Sequence, residues 1–188
     1  NVGKSSLLKA YTNAIPDIAN YPFTTIIPIV GMMPFDNIQI QLVDTPPIGA
    51  EFMEPWLAGI IRNADLVSLV VNLGSEAMLE ETESVHKKLG GYKLLLEPEE
   101  GETNPLDGIA HKKTIILGNK SDLPLFQTNL STLKNLYGQR LPIFHLSAKE
   151  KINLGELKRY IFDSLEILRV YTKTPGKKAD FEDPVILK

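Results

Sequence analysis

No cysteine occurs anywhere in this chain, which excludes disulfides, cysteine nucleophiles and thiolate-ligated zinc, and is compatible with a reducing cytosol. No long hydrophobic run occurs either. The longest, residues 66–73, contains Ser68 and Asn72 and falls far short of the roughly 20 apolar residues that a membrane-spanning helix needs. Net charge is small, −3 with a sequence pI of about 5.7, so no basic footprint announces nucleic acid and no DNA partner is expected. Histidine is scarce. His86, His111 and His145 share no ligand spacing and read as structural residues, with none assigned to catalysis. Glu97, Glu99, Glu100 and Glu102 read as a solvated loop rather than a metal site, and Lys173, Lys177 and Lys178 as a solvated turn.

The 188 residues, 43% of them hydrophobic, are enough for one domain with a real core and a fraction of a second. Helical spacing of Leu7, Leu8, Tyr11 and Ala14 predicts a helix over 5–14. Residues 15–25, with Pro16, Asn20 and Pro22, read as a loop, followed by extended runs at 26–35 and 38–43 joined as a hairpin by Asp36-Asn37. A helix carrying Trp56 is expected over 51–63, then a buried parallel strand over 66–73. Helix-prone 75–89 and extended 92–96 lead into 97–108, expected to be an exposed insertion. Strand 113–118, helix 125–137, strand 141–146 and helix 152–168 complete the alternation. Such alternation argues for an α/β layer fold with a mostly parallel sheet, helices on both faces and ligands beyond the carboxyl ends of the strands. Composition shifts near residue 167, so domains are expected at 1–167 and 168–188.

Four short segments stand in a fixed order on this framework. Gly3-Lys4-Ser5 matches the last three positions of the phosphate-binding loop, whose first glycine is expected upstream of Asn1. In that loop backbone N–H groups and the helix N-terminus face the phosphates, and a lysine ammonium reaches the β and γ oxygens, here Lys4. Asn1, Val2, Gly3, Lys4, Ser5 and Ser6 are therefore the expected phosphate side of a nucleotide site. Ser5 is either a magnesium ligand or a helix N-cap. Asp44, in Asp44-Thr45-Pro46-Pro47, is either the second magnesium carboxylate or a turn aspartate. Thr24 or Thr25, with Thr25 favoured, would complete the metal sphere in the triphosphate state, or else opens a strand.

Asn119-Lys120-Ser121-Asp122 and Ser147-Ala148-Lys149 make up the base end. Asp122 can accept two hydrogen bonds from the N1–H and the exocyclic amine of guanine, where adenine offers an acceptor and a C–H. Asn119 would tie its loop to the phosphate loop, and the Lys120 stem would lie along the base plane. Ala148 would donate its backbone N–H to the guanine carbonyl, with Ser147 shaping the turn. The plain alternative for the first segment is a polar turn after a strand.

Together, segments 1–6, 21–25, 44–47, 119–122 and 147–149 resemble the translation-factor-class GTPases of the Obg and DRG (developmentally regulated GTP-binding) group. Tyr21-Pro22-Phe23-Thr24-Thr25 is the most group-specific of them. The tail Leu168-Arg-Val-Tyr-Thr-Lys-Thr-Pro-Gly-Lys-Lys resembles the opening of a TGS domain, a ubiquitin-like β-grasp module. The resemblance implies a Ras-like, three-layer α/β/α P-loop NTPase fold lacking its first strand, with GTP or GDP as ligand, Mg²⁺ as cofactor, and a cytoplasmic role on ribosomes or their RNA. It implies Lys4 and Thr25 in catalysis, Ser5, Thr25 and Asp44 on the metal, and a K⁺ site at Asn1.

Two departures qualify that expectation. Pro47 stands where the group's glycine offers an N–H to the γ-phosphate, and proline has none. Ile48 stands where Ras-like enzymes carry a water-orienting glutamine, a residue the resembled group also lacks. The expected activity is slow, at or within about tenfold of the ~10⁻⁴ s⁻¹ of unassisted Ras, with a partner or cation supplying the remainder. The alternative is a guanine-nucleotide-binding module without hydrolysis.

Overall fold

The computed structural model describes the chain except residues 13–16, 19–27, 50–52, 100, 102–105, 174, 177–180 and 182–183. Helix α1 spans Lys4–Tyr11, followed by the short β1 (Asp17–Ile18), β2 (Ile29–Phe35) and β3 (Ile38–Asp44). These strands form an antiparallel sheet, with β2 and β3 paired from Ile29↔Asp44 to Phe35↔Ile38. The hairpin turns at Asp36, whose φ of 49° an aspartate tolerates better than most residues. Next come α2 (Pro55–Asn63), β4 (Val67–Asn72), α3 (Met78–Gly91), β5 (Leu94–Glu97), β6 (Ala110–Asn119), α4 (Phe126–Tyr137), β7 (Ile143–His145) and α5 (Leu154–Ser164). The chain closes with an antiparallel pair, β8 (Leu168–Val170) and β9 (Val185–Leu187).

Strand β6 organises the second sheet, pairing in parallel with β4, β5 and β7. Successive side chains of a strand point to opposite faces, and β6 uses both. Ile116 enters one core with Leu57, Ile61, Met78, Leu89 and Leu133, under α2, α3 and α4. Ile115 and Leu117 enter the other with Leu7, Tyr11, Leu157 and Ile161, under α1 and α5, where Met33, Phe35, Ile38 and Ile40 of the hairpin also pack. This is the expected arrangement of helices on both faces. Among the described residues no ladder joins β3 to β4.

Several boundaries differ from the sequence expectation. α1 ends at Tyr11 because Thr12 turns extended (φ −107°, ψ 126°), while its hydroxyl and N–H both donate to the Leu8 carbonyl. β6 starts at Ala110 rather than 113, because Ala110 to Lys113 pair with β5 and bury the polar Lys112. α5 starts at Leu154 because Ile152 is held in a bridge with Ser147, and Leu168 opens β8 instead of ending the helix. Glu97 is half-buried as the last residue of β5, paired with Lys113, and the stretch from 98 to 108 is exposed where described, with Leu106 95% accessible.

Candidate nucleotide-binding site

The phosphate segment turns on Gly3. Its φ of 91° and ψ of 26° place it in left-handed space, and its carbonyl accepts the first bond of α1 from Leu7. A Cβ there would lie 2.4 Å from the Asn119 amide nitrogen, so only glycine lets the two loops approach this closely. Ser5 is the second residue of α1 rather than its cap, and no side chain caps the helix. The positive end of α1 is thus left for an anion. Asn1 Oδ1 accepts the Gly3 N–H at 3.2 Å.

The Ser5 hydroxyl donates to Asp44 Oδ2 at 2.5 Å, joining the start of α1 to the end of β3. The other carboxylate oxygen, Oδ1, is buried without a partner. Two hard oxygens side by side, one carboxylate lone-pair set unspent, fit a magnesium ion. Thr24 and Thr25 lie outside the described residues. Pro47 is exposed, and Ile48 packs against the core containing Met53 and Leu57, alongside Trp56.

β6 delivers the base segment from its carboxyl end. Buried Asn119 donates through Nδ2 to the Val2 carbonyl at 2.8 Å and accepts the Ala148 N–H on Oδ1 at 3.0 Å. One carboxamide therefore ties the phosphate segment to both base loops. Ala148's N–H is already engaged, so a guanine carbonyl would have to share or replace that bond. Lys120 is left-handed at φ 66°, and Ser121 N–H donates to the Leu146 carbonyl.

Ser147, fully buried, donates its hydroxyl to Asp122 Oδ1 at 2.6 Å and accepts the Glu150 N–H at 3.1 Å. That hydroxyl is the main cause holding the Asp122 carboxyl below its ordinary pKa of 3.8. Desolvation opposes it, while Asp122's own N–H and the charges of Lys149 and Lys120 add to it. Exposed Asp122 is thus an ionised acceptor at neutral pH, the state that guanine's two donors require. Asn153 and His145 border this loop; from sequence His145 reads as a structural residue and Asn153 falls inside the helix expected over 152–168.

The fold, with the Gly3-Lys4-Ser5 segment at the start of α1, is that of the P-loop α/β class. The family model described as 50S ribosome-binding GTPase matches residues 1–99, and the chain belongs to that family. GTPase Obg of Metamycoplasma arthritidis is 34% identical over 181 residues, covering 93% of this chain and 40% of that one. Mitochondrial ribosome-associated GTPase 2 of Pongo abelii is 32% identical, covering 84% of this chain and 36% of that one. The chain thus spans about two-fifths of the length of these curated relatives. Among solved structures, the G domain of the T. maritima FeoB iron transporter superposes with a TM-score of 0.62 at 22% identity, covering 88% of this chain and 93% of that one, a likeness of fold alone.

Proposed function

We propose that residues 1–167 form a guanine-nucleotide-binding domain that hydrolyses GTP slowly to GDP and phosphate, and that residues 168–188 open a β-grasp module. The observation that carries this reading is the Asn119 carboxamide, bonded at once to Val2 and Ala148. It gathers segments far apart in the chain, each with chemistry for one part of GTP. Lys4 would place its ammonium on the β and γ oxygens and the α1 N-terminus would add its partial charge, both strongest where charge builds as the bond to the γ-phosphoryl loosens. Asp122 would take N1–H and the amine of guanine, and the 147–149 turn would face the 6-oxo group. Ser5 and Asp44 would hold Mg²⁺, with Thr25 joining them in the triphosphate state. The ion supplies neutralisation of phosphate charge.

A phosphate loop is a strand–loop–helix unit. The absence of a ladder between β3 and β4 among the described residues is consistent with a further strand feeding the loop there. Ribosomes, or ribosomal RNA, are the proposed partner class, because the matching family model and the mitochondrial relative are both named for ribosome association. A cytoplasmic site of action belongs to the same proposal. Among the described residues no helix is long and apolar enough to cross a membrane. Asn1 is the proposed K⁺ contact, sharing the oxygen that now accepts from Gly3.

Pro47 and the core-packed Ile48 favour a second reading, a binding module that holds GTP or GDP without turnover. Single-turnover GTP hydrolysis in K⁺ and in Na⁺, with and without ribosomes, separates the two. Hydrolysis stimulated by K⁺ or ribosomes supports a GTPase that uses the nucleotide as a switch; tight guanine nucleotide binding with no turnover in any condition supports the module.

A further inference from the structure

Asparagine at the N-cap of a helix ordinarily accepts a hydrogen bond from the first turn. Asn153 stands at that position in α5 and makes no such bond. Its backbone is left-handed, φ 58° and ψ 18°, and its side chain reaches back instead. Nδ2 lies 3.1 Å from the His145 carbonyl oxygen and 3.2 Å from the His145 ring nitrogen Nε2. A carbonyl oxygen only accepts, so the atom facing it is the amide nitrogen and Nε2 must accept as well. The His145 ring is in turn stacked on Phe126, the first residue of α4, with centroids 6.2 Å apart.

Residues 146–152, the loop that carries Ser147, Ala148 and Lys149, run between these two residues. Ser147 and Ile152 close the loop by exchanging backbone bonds, at 3.0 and 3.3 Å. Lys151 is left-handed too, at φ 57°. Two non-glycine residues in left-handed space within three positions persist only where the surroundings over-determine them. The Asn153–His145 bonds are that constraint, one step outside the Ser147–Ile152 bridge.

We propose that Asn153, with His145 as its acceptor, is a positioning residue for guanine recognition. It fixes the height of the 147–149 turn over the base, so that the backbone N–H groups of that turn register with the 6-oxo group. This rests on the guanine-nucleotide reading above. Helix capping alone does not account for Asn153, because its side chain does not cap.

The test compares GDP with 6-thioguanosine 5′-diphosphate, which keeps the N1–H and the amine read by Asp122 and replaces the 6-oxo oxygen by a sulfur that accepts hydrogen bonds poorly. Two variants of the full chain are measured beside the parent by calorimetric titration. Asn153→Gly keeps left-handed backbone without strain and removes the amide; His145→Phe keeps the ring against Phe126 and removes the Nε2 acceptor, leaving the backbone carbonyl one. The expected result is a loss of GDP affinity of about fivefold to tenfold in each, the worth of a hydrogen bond, with affinity for the analogue unchanged within about twofold. The double variant should lose no more than the stronger single. Equal losses for both nucleotides, or no loss, overturn the positioning role while leaving guanine binding intact. A parent chain that does not prefer GDP to ADP overturns the nucleotide reading and this inference with it.

Discussion

The Asn119 side-chain amide donates to the Val2 carbonyl oxygen at 2.8 Å, across 117 residues. β6 is central, with Asn119 paired to Asn72 of β4 and the preceding Gly118 paired to His145 of β7, so the end of the strand is well fixed. The phosphate segment is thereby hung on the sheet by a side chain from the base segment. Phosphate and base geometry cannot drift independently.

Gly3→Ala tests this arrangement directly. A methyl group at Gly3 would fall 2.4 Å from the Asn119 amide nitrogen, on a backbone held at φ 91°. Left-handed backbone costs an L-residue about 1–2 kcal/mol. The expected outcome is a thermal midpoint lowered by about 2–8 °C with GDP affinity reduced more than about tenfold, read by melting curves and calorimetric titration. Full nucleotide affinity in this variant would mean that Asn119 does not set the loop.

Ser147→Ala should move the acid limit of nucleotide binding. The Ser147 hydroxyl is the leading cause of the depressed Asp122 pKa. A depressed carboxylate pKa means that the ionised form is present above the ordinary 3.8 and is lost only as pH falls through the lower folded value. Removing the hydroxyl moves the midpoint of acid loss upward, toward 3.8. At neutral pH Asp122 stays ionised but loses its anchor, and GDP affinity falls about fivefold to tenfold. Fluorescent-nucleotide binding between about pH 3 and 7 reads both effects.

Asp44→Asn and Ser5→Ala address the paired oxygens at the end of β3 and the start of α1. With Mg²⁺ present, the concentration needed to tighten GTP binding should rise about tenfold to a hundredfold in either variant. With Mg²⁺ chelated, parent and variants should bind alike, since the backbone N–H groups of the phosphate loop and Lys4 are unchanged. A difference that survives chelation would assign the Ser5–Asp44 pair to loop structure instead.

Tyr11 donates its hydroxyl to the Leu154 carbonyl at 3.1 Å, joining α1 to α5, and burial pushes its pKa far above the ordinary 10.0. Because the folded value is raised, the stabilising contribution is complete below pH 10.0 and is lost as pH climbs through the folded value. Tyr11→Phe should lower the thermal midpoint at neutral pH by about 2–4 °C, the effect of roughly 1 kcal/mol in a chain of this size. Its stability should decline less steeply than the parent's above pH 10.0.

Much of this site was legible because its signals are local. Gly3-Lys4-Ser5, Asp44 and Asn119-Lys120-Ser121-Asp122 each depend on residue types at short spacing, and strand or helix periodicity put each at an element end. What escaped is non-local or looks like something else. Ile48 seemed important for what it cannot do to water, yet the structure spends its side chain on the core. The strand expected over 113–118 begins already at Ala110, where β5 pairs with it and Lys112 is buried. Asn153 fell inside the helix expected over 152–168, yet it stands before α5 and is bonded backward to His145.

Arg169 gives the last prediction, and it concerns the C-terminal segment. Phe35 of β2 and Phe162 of α5 stack at 4.4 Å, and the Arg169 guanidinium lies 4.5 Å over the Phe162 ring. Both of its terminal nitrogens reach Asp36 Oδ2 at 3.2 Å. Beside it Asn37 donates to the Phe181 carbonyl at 2.9 Å and the Tyr171 hydroxyl at 3.3 Å. The tip of the β2–β3 hairpin therefore holds the segment that follows α5, at the end of the ladder away from Asp44. If 168–188 opens a separate module, weakening this contact should loosen it without disturbing the nucleotide site. A partly desolvated cation–π contact contributes about 0.5–2 kcal/mol. Arg169→Ala should then speed amide hydrogen exchange at β8 and β9 by about two- to thirtyfold while GDP affinity stays within about twofold of the parent. Arg169→Lys should recover little, because an ammonium has neither the flat face that lies on Phe162 nor the two-pronged reach to Asp36. Unchanged exchange would show that the segment is held by other contacts, and a parallel loss of GDP affinity would show that hairpin tip and nucleotide site move as one body.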